Sequence, residues 1–283
     1  MKSCENFVTS DSEYYIYSPS LTAHDMYFYP LHIGNFIYEP GYSLNRDSFD
    51  SFLIIYVKNG QLSVTHDNKT EIAHKASFVL LDCYNPHSYC CDVKCETIWC
   101  HFDGIIARKY YKSIVSRLGN IITLPHPDIV LNKLDSIYDI FHNHSIIKEP
   151  LISKYLNDIL TSFLLFSPES IDNSNDSTIS EDIILYITNH FTENITISDL
   201  AYIAKLSPFH FIRTFKKETG LTPHEYIINT RINNAKYLLK NSSNSVKSIC
   251  FETGFSCESV FCNSFKKNVG LTPAQYRNSC KTL

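Results

Sequence analysis

No stretch of about 18 apolar residues occurs in the 283-residue sequence, which leaves no candidate for a membrane-spanning helix. The opening residues, MKSCENFVTS, lack the apolar centre of a secretion signal. The ten cysteines are therefore expected to be free thiols in a reducing cytosol. Nucleophile-elbow, phosphate-loop and paired-carboxylate motifs are also missing, so nothing points to hydrolytic or phosphoryl-transfer chemistry. Glycine is scarce at eight residues, which makes a glycine at a repeated position informative. The net charge of −4 argues against a nucleic-acid binder until the chain is divided. Residues 178–283 carry 12 Lys+Arg against 8 Asp+Glu, or +4; residues 1–177 carry 13 against 21, or −8. Division shows a modestly basic C-terminal part on an acidic N-terminal part, which removes the objection for the C-terminal part.

A motif is written twice in the basic part. Residues 215–227 read FKKETGLTPHEYI and residues 265–277 read FKKNVGLTPAQYR, fifty positions apart, which marks one supersecondary unit used twice. Ser207-Pro208 provides an N-cap with proline at the first helical position, and Gly220 and Gly270 stand where left-handed C-terminal caps fall. Thr222-Pro-His-Glu225 and Thr272-Pro-Ala-Gln275 are capping-box starts. Ahead of each reading helix lies a shorter one, Asp199–Lys205 capped by Ser198 and Val246–Thr253. Each pair has the helix–turn–helix form that lays its second helix in a major groove. Between them, 222–239 reads as a single helix with Ile228, Ile232, Ala235 and Leu239 on one stripe. At 1.5 Å per residue this rod is roughly 27 Å long. That is near the ~34 Å between successive major grooves on one face of DNA.

Residues 180–280 resemble the DNA-binding domain of the AraC/XylS transcription regulators. The resemblance is carried by Leu200-Ala201, Leu206-Ser207, Phe211, Phe215-Lys216-Lys217, Gly220, Pro223, Tyr226, Arg231, Ala235, Leu238-Leu239, Ile249, Gly254-Phe255-Ser256, Phe261, Phe265-Lys266, Gly270, Pro273 and Tyr276. Cys250 and Asn263 depart from the family pattern, which mostly has Ala and Arg there. Phe211 and Phe215 define the inward face of the first reading helix. Ser207, Phe209, His210, Ile212, Arg213, Lys216 and Lys217 are then candidate DNA contacts, with Arg213 best placed for guanine O6/N7. In the second unit the candidates are Ser256, Glu258, Ser259, Cys262, Asn263, Lys266 and Lys267. The paired lysines suit phosphate, Asn263 suits adenine or the backbone, and Arg231 is expected to brace the long helix.

From Tyr27 to Phe102 the pattern is β: Phe52–Val57, Leu62–Thr65, Ser77–Leu81 and Thr97–Phe102 are strand-like, and Lys58-Asn59-Gly60-Gln61 predicts a hairpin turn. Arg46-Asp47, Tyr56-Val57-x-x-Gly60, Leu80-Leu81-Asp82, Pro86-His87-x-Tyr89 and Trp99-x-His101-Phe102-x-Gly104 resemble the cupin-like effector domain of the same family. Residues 128–142, lined by Ile129, Leu134, Ile137 and Phe141, and 150–166 predict a helical hairpin, which in that family often pairs two chains. The expected architecture is α+β and multidomain: an N-terminal arm (1–20), a cupin-like barrel (21–125), a dimerising hairpin (126–166), a linker (167–179) and an all-α double helix–turn–helix domain (180–283).

By resemblance, Arg46, His87, Tyr89, Thr97 and Trp99 are candidate effector contacts, the mixture of aromatic faces and polar donors that a sugar requires. His101 is expected to be structural. Cupin enzymes need a His-x-His pair where this chain has Arg46, Asp47 and Phe49, so neither a resident metal nor catalysis is expected. Cys83, Cys90, Cys91, Cys95 and Cys100 crowd eighteen residues without a Cys-x-x-Cys spacing; buried small hydrophobes are expected, thiol or metal sensing being the alternative. The resemblance implies a cytoplasmic, effector-controlled transcription regulator without a cofactor, more often an activator. Its expected partners are promoter DNA, a small molecule, a second copy and RNA polymerase.

Overall fold

The structure, a computed structural model, describes residues 1–3, 5–165 and 179–279, with side chains of the second stretch from residue 181. The expected linker, Ile179 excepted, lies outside the described residues. The chain divides into two compact units, Met1–Pro168 and Glu169–Leu283.

The first unit runs β1 (Glu13–Ile16), α1 (Leu21–Met26), β2 (Phe28–Tyr38), β3 (Tyr42–Arg46), β4 (Phe52–Asn59), β5 (Gln61–His66), β6 (Lys69–His74), β7 (Ser77–Asp82), β8 (His87–Cys91), β9 (Cys95–Gly104), α2 (Ala107–Leu118), β10 (Ile121–Thr123), α3 (Asp128–His142) and α4 (Glu149–Leu165). The strands form two antiparallel sheets, β1-β2-β9-β4-β7-β10 and β3-β8-β5-β6. Period-two alternation assigns the faces. In β4, Leu53, Ile55 and Val57 point between the sheets, packing with Phe36, Tyr38, Tyr42, Leu62, Val64 and Tyr89. Phe52, Ile54 and Tyr56 point the other way, against Ile114, Leu134, Ile137, Leu156 and Phe163 of α2, α3 and α4. The helical hairpin therefore shares a core with the barrel rather than standing apart. Its first helix buries Val130, not Ile129, which is 42% exposed: the stripe starts one residue later than expected.

One other expectation changes. Asn59-Gly60 is not a hairpin turn, because β4 and β5 belong to different sheets; it is the corner at which the chain crosses between them. Only Gly60 has positive φ (+80°), and a Cβ there would lie 2.2 Å from the Lys94 carbonyl oxygen. The two-residue turn instead joins β5 to β6 at Asp67-Asn68, both left-handed (φ +47° and +59°). The N-terminal arm is held against the barrel. Met1 donates its ammonium to the Tyr14 carbonyl, Lys2 pairs with Glu13 at 3.0 Å, Tyr42 donates to the Glu5 carboxylate, and β1 edges the larger sheet.

The second unit is helical: α5 (Ile179–His190), α6 (Ile197–Ile203), α7 (Pro208–Thr219), α8 (Pro223–Asn241), α9 (Val246–Glu252), α10 (Glu258–Val269) and α11 (Pro273–Ser279). Ile183, Ile187, Leu200, Ala201, Phe211, Phe215 and Ile227 form one core; Ile232, Ala235, Leu239, Ile249, Cys250, Phe255, Phe261 and Phe265 form the other. Helix α8 gives its first turns to one core and the rest to the other, so it joins the repeats by packing as well as by sequence. The caps at Ser207, Thr222, Thr272, Gly220 and Gly270 form as read. Helix α6 is capped by Thr196 in a capping box with Asp199, not by Ser198, which places its start a turn-defining residue or two earlier.

Candidate functional sites

The reading face of α7 follows from its buried stripe. With Phe211, Thr214 and Phe215 inside, the positions at 100° to either side of that stripe must face water. Phe209 is 80% exposed, and His210, Ile212, Arg213, Lys216 and Lys217 also lie on the surface. Ser207 is exposed, but its Oγ accepts from the His210 amide as the helix cap. Each buried phenylalanine contributes about 1.5–3 kcal/mol, which fixes the helix roll and with it the aim of Arg213.

The second face is built differently. Ser256, Glu258, Ser259, Asn263, Lys266 and Lys267 are exposed as expected. Cys262 is half-buried and packs on the second core, and burial pushes its thiol pKa up, so it belongs as much to the packing as to the surface. Val260, the counterpart of His210, is 47% exposed and was not anticipated. Cys257 stands where Ser207 stands in the first unit and makes no side-chain cap. The turn before α7 uses Lys205 with φ +53°, a left-handed residue that the sequence did not disclose. Its counterpart Gly254 (φ +83°) is also pressed against the chain at Phe191 and Thr192, where a Cβ would meet the Phe191 oxygen at 2.7 Å.

Arg231 braces as expected. Its guanidinium donates to the carbonyls of Phe191 and Glu193, both at 2.7 Å, and lies 5.8 Å from the Phe255 ring centroid. It thereby ties the end of α5 to α8 and to the second core.

In the first unit the space between the sheets has a packed half and a polar end. Thr97 lies in the packed half, fully buried opposite Phe36 and Val57, so it is not with the other effector candidates. Tyr89 stays near them but packs into the Tyr38–Tyr42 aromatic group. Arg46 and His87 face each other across β3 and β8. Around them the structure adds three residues outside the expected effector set: His32, Phe49 and His101. The Phe49 ring centroid is 4.6 Å from that of His101 and 5.3 Å from that of His32, and Arg46 sits 4.7 Å above it. Trp99 is 5.7 Å from His101. His101 does have a local partner, Ser51 Oγ at 2.8 Å, as expected, yet it faces the same interior as Trp99, two residues away. That alternation was legible, and His32 obeys the same rule: from His32 to Tyr38 the register of β2 on β9 is unbroken, which puts His32 on the inward face of Phe36 and Tyr38 and directly opposite His101.

Several polar atoms here are buried without a protein partner: His32 Nδ1, His87 Nε2 and Trp99 Nε1. Burial pushes the imidazoles of His32, His87 and His101 below their ordinary pKa, with Arg46 adding to the shift, so the rings are neutral. His87 Nδ1 must donate to the Asn85 carbonyl 2.9 Å away, which leaves Nε2 as an acceptor. A cleft of about 240 Å³ opens at this end of the smaller sheet, bordered by Asn45, Thr65, His66, Asp67, Pro86 and His87.

The cysteines contrast with that end. Burial drives the thiols of Cys83 and Cys95 up to about 12 and that of Cys91 to about 11, far from a reactive thiolate. Among the described residues no three His, Cys, Asp or Glu side chains are grouped to hold a metal ion, and no helix is long and apolar enough to cross a membrane.

A barrel with a polar interior end, followed by two helix–turn–helix units on one long helix, is the architecture of a ligand-binding domain joined to a DNA-binding domain. Residues 31–156 match the family model for an AraC-like ligand binding domain, and residues 200–279 match one for a helix-turn-helix domain. The chain belongs to the AraC family of transcription regulators. The uncharacterized HTH-type transcriptional regulator YdiP of Escherichia coli (strain K12) is 25% identical over 248 residues, 81% of this chain and 78% of that protein. The bifunctional transcriptional activator/DNA repair enzyme AdaA of Bacillus subtilis (strain 168) is 40% identical over 96 residues, 34% of this chain. The raffinose operon transcriptional regulatory protein RafR of Pediococcus pentosaceus is 26% identical over 149 residues, 52% of this chain. The chain spans about half the length of these last two, 46% and 54%. Among solved structures, the DNA-binding domain of AdpA in complex with a target DNA is 27% identical, covering 38% of this chain and 96% of that one, with a TM-score of 0.36.

Proposed function

We propose that this protein is a sequence-specific promoter-binding regulator, an activator acting on RNA polymerase, switched by a small sugar-class effector at the polar end of the barrel. The observation that carries the reading is the pair of exposed faces on α7 and α10, set on two cores that share the 19-residue helix α8. Arg213 donates both guanidinium arms to a guanine, Asn263 contacts adenine or backbone, and Lys216, Lys217, Lys266 and Lys267 hold phosphates. His210 adds a phosphate or base contact. Glu258 on α10 discourages phosphate at that helix start, so the second unit binds less tightly than the first. With only +4 on the DNA-binding part, two chains acting together raise affinity, paired through the outward sides of α3 and α4 in the cytoplasm. The sugar class is supported by the aromatic and hydrogen-bonding mixture around Trp99 and by the name of the raffinose regulator.

Selection of bound duplexes from a random pool, followed by footprinting, tests this. The expected result is enrichment of sites protected over two successive major-groove segments per chain, with affinity falling steeply as salt rises. A chain that enriches nothing over random competitor, with or without added sugars, refutes it.

A further inference from the structure

We propose that the polar end of the barrel takes a polyhydroxylated anion (a sugar acid or a sugar phosphate) in preference to a neutral sugar. This rests on the effector reading above and narrows its chemistry. The first observation is that Arg46 is uncompensated. Its guanidinium lies over Phe49 and opposite His87, and among the described residues no carboxylate stands within ion-pair distance of it. Several acids of this unit are engaged elsewhere: Asp82 with Arg108, Asp103 with Tyr84, Glu5 with the Tyr42 hydroxyl, and Glu71 with Lys69. Asp47 and Asp50, on the same loop as Phe49, make no ion pair with it either.

The second observation is independent of that charge. His87 is 3% exposed, its Nε2 is an acceptor by elimination, and it has no partner; Trp99 Nε1 is a donor in the same condition. Buried groups of this kind are costly unless something bonds them. A bound molecule that satisfies all three presents a hydroxyl donor to His87, an oxygen acceptor to Trp99 and an anionic group to Arg46. Apolar ligands satisfy none of these, cations are repelled by Arg46, and neutral sugars leave the guanidinium without its charge-assisted bonds. Because the three imidazoles are neutral, Arg46 supplies the positive charge of the cluster, so a single anionic group is matched. Phe49 touches Arg46, His32 and His101, so it lines the side of the site on which Arg46 stands.

The test titrates the full chain with glucuronate, galacturonate, gluconate and glucose 6-phosphate, each beside glucose or galactose as its neutral parent. Binding is read by calorimetry and by the unfolding transition of Trp99, the single tryptophan. At least one anion is expected to bind about tenfold or more tightly than its parent. Arg46→Gln is expected to abolish that preference, and Arg46→Lys to keep it at reduced affinity. The carboxylate and phosphate arms show which kind of anion is held. A neutral parent that binds as well as its acid, or an anion affinity unmoved by Arg46→Gln in a folded variant, overturns the proposal while leaving a sugar effector standing. No binding by any of the six compounds overturns the proposal as well, and the effector reading then fails with it for the sugar class.

Discussion

Removing Arg231 should loosen the DNA-binding unit without touching the barrel, and the chain carries a built-in way to see this. The guanidinium makes two 2.7 Å bonds to main-chain carbonyls at the end of α5 and covers part of the Phe255 ring. A hydrogen bond from a charged donor is worth about 1.5–3 kcal/mol net when desolvated. Here the residue is only half-buried, and water can reach the Glu193 carbonyl once it is freed, so the sum is discounted to about 2 kcal/mol. With a urea dependence of about 1–2 kcal/mol per molar for a domain of this size, Arg231→Ala should lower the midpoint by roughly 1–2 M. Trp99 sits in the barrel, so its fluorescence follows the first unit, whereas loss of helix circular dichroism follows both. The expected outcome is a dichroism transition that splits, with the early phase absent from the fluorescence. Arg231→Lys should recover less than half of the loss, since one ammonium cannot span both carbonyls in the guanidinium's geometry. An unmoved dichroism curve, or an equal shift in both signals, refutes the bracing role.

Cys257→Ser should supply the cap that α10 lacks and stabilise the second unit by about 0.5–1 kcal/mol, raising its melting temperature by a few degrees in calorimetry. Gly60→Ala should cost the barrel more than about 2 kcal/mol, from left-handed φ plus collision with the Lys94 carbonyl; a Trp99 unfolding midpoint near wild type contradicts the sheet-crossing role. His32, His87 and His101 all have pKa values lowered in the folded barrel from the ordinary 6.5. Above about pH 6.5 both states are neutral and stability is full; below it the unfolded chain takes up protons that the folded barrel refuses, so stability falls as pH drops. Trp99-monitored urea midpoints that stay flat or rise between pH 7.5 and about 5.5 would contradict this. Arg213→Ala should lose about 1–3 kcal/mol at one operator base pair and relax preference there, whereas uniform weakening across sequences would show that it holds phosphate.

Much of the DNA-binding unit could be read directly because its signals are local. Caps, capping boxes and the apolar spacing of Phe211–Phe215 and Phe261–Phe265 act within one or two turns of a helix, so the residues that specify an element lie inside it. Thr196 and Ser198, two residues apart, have similar capping chemistry, and Lys205 takes a left-handed conformation that its residue type does not advertise. Alternation likewise fixed the strands and their two faces, but not which strands pair. Asn59-Gly60 has the composition of a hairpin turn, and only the assignment of β4 and β5 to separate sheets makes it a crossing.

The polar end of the barrel belongs to tertiary structure. Arg46, Phe49, His87, Trp99 and His101 come from β3, β8, β9 and the β3–β4 loop, and their convergence follows from sheet order and register. Thr97 shares the face of Trp99 and His101 yet is sealed in the packed half, since depth along the barrel axis is set by which residues stand across from it. His32 shares the inward face of Phe36 and Tyr38 on β2, and it meets His101 only because sheet order makes the two register partners. The sequence by itself thus determined the elements, the repeat and the outward face of α7, all short-range consequences of steric and hydrogen-bond preferences. Which polar atoms end up buried together without partners was decided only when strands distant in the chain closed around the same space.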